Sequence, residues 1–114
     1  MGDEVTDYRY VQVTTTIDSR EGAEAMARSA VETRLAACAQ VSGPIHSTYW
    51  WEGAIDSADE WYVVFKTTAE RYPELERHIR ERHSYEVPEI VLTPILAGNP
   101  AYLSWIHEET TPRS

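Results

Sequence analysis

The sequence holds one cysteine, Cys38, in 114 residues, which rules out an internal disulfide and agrees with a reducing compartment. It holds one phenylalanine against four tryptophans and seven tyrosines, so nearly all its large rings carry a polar handle suited to partly wet or shared surfaces. Basic residues are few: ten Lys and Arg stand against nineteen Asp and Glu, a formal net charge of −9. A field of that sign repels phosphate backbones and anionic lipid and attracts cations, which argues against a nucleic-acid partner. No apolar run approaches the roughly 18 residues of a membrane span. The opening Met1-Gly2-Asp3-Glu4 lacks the basic-then-apolar order of a secretory signal. Together these absences predict a cytoplasmic protein that engages neither membrane nor nucleic acid.

What is present fits a single domain, 1–114, with residues 1–7 and 110–114 loose. Tyr8 to Thr16 alternates, Val11 and Val13 against Gln12 and Thr14, and reads as a strand. Asp18 with Glu21 resembles a capping box, and Ala23, Met26, Ala27, Ala30, Val31 and Leu35 then recur at helical spacing. Ala37 to Val41 starts a second strand that Gly43-Pro44 bends or interrupts before Ile45 to Trp51. The acidic Glu52–Glu60 segment reads as a solvated loop closing a hairpin with Trp61 to Lys66. Thr67 with Glu70 offers a second capping box, and Tyr72, Leu75 and Ile79 mark a helix ending near His83. Ile90 to Leu96 is the last strand, and Gly98-Asn99-Pro100 opens a short terminal helix.

The order β-α-β-β-α-β predicts an α+β, ferredoxin-like sandwich with strand order 4-1-3-2 and helices on one face. Two details agree with it independently. The Trp61–Lys66 run is apolar on both faces and belongs in the centre of the sheet, whereas Pro94 costs a ladder hydrogen bond and belongs at an edge. Helices on one face leave the other uncovered, and its aromatic hairpin is larger than the apolar patch a monomer usually tolerates.

Four stretches carry a family resemblance: Arg34-Leu35-Ala36-Ala37-Cys38, Ser47-Thr48-Tyr49-Trp50-Trp51-Glu52-Gly53, Tyr85-Glu86-Val87-Pro88-Glu89-Ile90 and Ala97-Gly98-Asn99-Pro100-Ala101-Tyr102-Leu103-Ser104-Trp105. In residues and spacing, from about 10 to 107, the chain resembles the divalent-cation tolerance protein CutA family. The resemblance implies a homotrimer with the architecture of PII-type signalling proteins, and a link to tolerance of copper and other divalent metals. Closed threefold symmetry would cover the open sheet face.

The resemblance also points to His83 and Glu89 as metal ligands. An imidazole with a carboxylate suits copper or zinc, and two ligands need a neighbouring subunit or water to complete the site. A structural reading stands beside this one: His83 in a last helical turn complements the helix dipole, and Glu89 fixes a turn. Some bacterial members carry a cysteine near the end of the first strand, where this chain has Thr15. Cys38 reads as a buried structural thiol, His46 and His107 as surface residues, and Tyr49, Trp50 and Trp51 as interface packing. No glycine-rich anion loop follows the first strand at Thr14-Thr15-Thr16-Ile17, and no triad spacing is present, so catalysis is not expected. The expected function is copper-type divalent metal tolerance by a homotrimer without turnover. The alternative is a PII-like signalling or scaffold trimer that binds a metabolite or protein in clefts between subunits.

Overall fold

The computed structural model describes residues 8–113; the stretch 1–7 and Ser114, expected to be loose, lie outside the described residues. The elements are β1 (Tyr10–Ile17), α1 (Arg20–Glu32), β2 (Cys38–Trp51), β3 (Ala54–Thr68), α2 (Tyr72–Arg82), β4 (Ile90–Ile95) and α3 (Pro100–Thr110). The four strands form one sheet in the order β2-β3-β1-β4, the predicted ferredoxin-like order read from its other edge. β1 pairs antiparallel with both neighbours. Pro94 lies on the edge strand β4 opposite Val11, where its missing donor costs least.

Alternation decides which side of the sheet is dry. Val11 and Val13 of β1 and Val63 and Phe65 of β3 are fully buried, and they cluster with Ala23, Met26 and Ala30 of α1 and Leu75 and Ile79 of α2. The alanine-rich stripe of α1 lets that helix lie close to the sheet. Its cap is one residue later than the capping-box spacing suggested: Ser19, not Asp18, accepts from the Gly22 N–H, at 3.0 Å. The helix stops at Glu32 because Arg34 adopts a left-handed conformation (φ 64°), which lets the Leu35 N–H reach back to the Ala30 carbonyl at 3.0 Å. Val31, expected on the buried stripe, is 38% exposed. A short 3₁₀ turn (Ala69–Arg71) precedes α2, and its cap is Thr68, not Thr67, whose side chain lies in the core.

The acidic Glu52–Glu60 segment is a strand rather than a loop. Trp51 pairs with Ala54, so β2 and β3 join through only Glu52 and Gly53. Both have positive φ, 51° and 84°, the combination that a tight type I′ hairpin turn requires. β3 therefore begins at Ala54, but β1 accompanies it only from Trp61 onward. Ala54–Glu60 and its partners on β2 form a two-stranded ribbon that projects beyond the sheet. A register shift between Ser42 and Ile45 places a bulge where the ribbon leaves it. Gly43 is needed there: its φ is 148°, and a Cβ would meet Trp61 Cδ1 at 2.7 Å.

The terminal helix does not join the other two. Cys38 pairs with Lys66, on the face opposite Phe65, and its Sγ lies 3.5 Å from Tyr102 Oη of α3. That contact sets α3 against the end of the otherwise open sheet face, with Ile106 fully buried beneath it. Thr110, expected in a loose tail, is the last residue of α3; it is buried, and its hydroxyl donates to the Ile106 carbonyl at 2.8 Å.

Candidate functional site

The other end of the open face is not covered. There the loop between α2 and β4 rises beside the ribbon and encloses a groove of about 610 Å³. A relay of hydrogen bonds fixes the loop. His83 Nε2 donates to the Thr16 carbonyl at 2.8 Å, and His83 Nδ1 accepts from the Tyr85 N–H at 3.0 Å. These two partners together select the neutral imidazole with its proton on Nε2. The His83 ring also leans on that of Tyr85, centroids 4.8 Å apart. Tyr85 Oη then donates to Glu60 Oε2 at 2.7 Å. Burial, and then the hydrogen bond to Glu60, push the Tyr85 hydroxyl well above the ordinary phenol range, which keeps it a donor.

The groove has four carboxylates, Asp56, Glu60, Glu86 and Glu89, and three rings, Tyr49, Trp51 and Tyr85, and no basic residue in its lining. Glu60 is the buried one, at 8% exposure. Trp51 is 60% exposed, so one ring of the wall stands open to whatever enters. The arrangement favours a positive charge.

The two predicted ligands are therefore separated in role. Glu89 is exposed and lines the groove. His83 has neither ring nitrogen free, because both are bonded to backbone groups, and it does not line the groove. To ligate a metal together with Glu89, His83 would have to give up one of the bonds that hold the loop. Among the described residues, no three His, Cys, Asp or Glu side chains come together as a metal cage. Thr15 is fully buried, with its hydroxyl unpartnered, on the side of β1 opposite the groove-lining Thr16.

The other candidates fall outside the groove. Cys38 is half-buried rather than buried. Its hydrogen bond, with burial second, pushes the Tyr102 hydroxyl up to about 12. His46 is on the surface, 3.4 Å from Asp59, as expected. His107, half-buried, lies 3.4 Å from an Arg9 nitrogen. Tyr49, Trp50 and Trp51 are all exposed in the single chain. Sequence reasoning missed His78, which is buried between α1 and α2 with Nε2 2.8 Å from Ser29 Oγ. Its signal was present: it stands three residues after Leu75 and one before Ile79, on the same helical stripe. No helix among the described residues is long and apolar enough to cross a membrane.

The family model of the CutA1 divalent ion tolerance protein matches residues 11–109. The chain is 40% identical over 95 residues to the divalent-cation tolerance protein CutA of Thermus thermophilus, covering 83% of this chain and 92% of that one. It is 39% identical over 95 residues to protein CutA of Mus musculus, but spans only 54% of that protein's length. Among solved structures, the divalent cation tolerance protein from Thermus thermophilus superposes with a TM-score of 0.87 at 38% identity, covering 90% of this chain and 99% of that one.

Proposed function

The chain belongs to the CutA1 divalent ion tolerance family, and from that premise we propose that it works as a homotrimer that takes up divalent cations without chemical turnover. The observation that carries this reading is the groove, with its four carboxylates and no basic residue. Glu89 at the groove is the ligand from this chain, and a neighbouring subunit and water complete the coordination. Copper is the first metal to test and zinc the second. His83 acts as a positioning residue that holds the Ser84–Glu89 loop, rather than as a ligand. The trimer is supported by the ribbon, whose Trp50, Trp51 and Ile55 stay 60–73% exposed in one chain. The lone thiol of Cys38, free of any disulfide, supports a cytoplasmic location.

Calorimetric titration of the metal-stripped protein with copper and with zinc tests the site. Saturable heat that falls at least tenfold in affinity in Glu89→Ala supports it. Heat that is unchanged in that variant, or absent from the parent protein, overturns it. A second reading, a scaffold trimer that holds a metabolite in the groove, is favoured by one observation: a 610 Å³ space far exceeds a single metal ion.

A further inference from the structure

The deepest charged group of the groove is Glu60. The residue is only 8% exposed, and the partner its carboxylate has is a neutral phenol, Tyr85, on one of its two oxygens. Among the described residues no cation is paired with it. A carboxylate withdrawn from water and left without a counter-charge is costly, so the working state of this groove should hold a positive group against it. The walls indicate which kind. Tyr49, Trp51 and Tyr85 line the same space, and ring faces attract ammonium and guanidinium groups while offering a bare metal ion nothing to coordinate. The volume, too, suits a small organic molecule.

We propose that the groove between the ribbon and the Ser84–Glu89 loop is a site for a small organic cation, an amine or guanidine whose charged end pairs with Glu60 and whose stem lies against Trp51 and Tyr49. The inference rests on the second reading above, that the groove holds a metabolite, and it assigns that metabolite's charge. Asp56, Glu86 and Glu89 add negative potential along the groove and favour a second positive group at the ligand's other end.

Agmatine, which carries a guanidinium and an ammonium four carbons apart, is the probe, and 1,4-butanediol is its uncharged counterpart. Calorimetry on the full-length assembly, in chelator and at physiological ionic strength, should give saturable binding of agmatine and none of the diol. Affinity should fall about ten- to a hundredfold in Glu60→Gln, which keeps the side-chain shape and an acceptor for Tyr85. It should fall about two- to tenfold in Trp51→Ala, measured on variant protein that light scattering shows to keep the mass of the parent assembly. Equal binding of the two probes would keep the metabolite reading and overturn the assigned charge. Binding of neither would overturn both, with the Glu60 charge then answered by the assembly itself. Agmatine affinity unchanged in Glu60→Gln would also overturn the proposal.

Discussion

The two faces of the sheet are built from the same strands and come to opposite ends. On the helix-covered face, Val11, Val13, Val63, Phe65, Leu75 and Ile79 have no exposed surface at all. On the other, α3 seals one end and the remainder carries a groove; the ribbon, which runs on past the sheet, leaves Trp51 60% exposed on the groove side and Trp50 and Ile55 73% and 65% exposed on its opposite side. A two-stranded ribbon is marginal in water without a third strand or a packed face, and Ala54–Glu60 has only β2 beside it. The first face explains why the chain folds; the second is the surface that the proposed trimer would cover.

The comparison breaks first at the core. Phe65→Ala should cost about 3–5 kcal/mol in denaturant unfolding, because the removed ring leaves a cavity in the dry layer. A loss below about 1 kcal/mol would mean that the helix-covered face is not the main source of stability. On the ribbon, the double substitution Trp50→Ser, Ile55→Ser should lower stability by about 1.5–3 kcal/mol per side chain re-exposed in the assembly, and should weaken the dependence of the melting temperature on protein concentration that the parent assembly shows. In a chain that is complete alone, the same changes would stay within about 0.5 kcal/mol each, as surface substitutions do.

How much of this the sequence disclosed differs between the faces. The covered face was legible because its signals are periodic: Val11 and Val13 alternate, Leu75 and Ile79 recur at helical spacing, and a run apolar on both sides marks β3 as central. The ribbon was misread because Asp56, Asp59 and Glu60 look like loop composition, and strand pairing rather than intrinsic propensity holds them. The caps were displaced by one residue because Asp18 and Ser19, like Thr67 and Thr68, are both competent acceptors, and packing chooses between them. At the site, Glu89 was singled out only through the family resemblance, and the structure places it in the groove lining. The fate of His83 was not, since its two partners, Thr16 and Tyr85, include a backbone carbonyl 67 residues away.

The smallest effect belongs to His78, which is pressed between the helices of the covered face. Burial lowers its pKa, and the nearby Arg82 lowers it further while Glu81 opposes. The folded state thus binds the proton less readily than the unfolded chain, whose histidine titrates near 6.5. Stability is therefore full above that pH and declines as pH falls from there toward the lower folded value. In a melting-temperature series, His78→Gln should flatten this acid-side slope. An unchanged slope would show that other groups carry it.

Static light scattering after size-exclusion chromatography, at micromolar concentration, measures whether the exposed ribbon is covered by other copies. A single species of three times the mass of one chain is expected, falling toward that of one chain when Trp50 and Ile55 are replaced. A stable, fully folded species with the mass of one chain would contradict it.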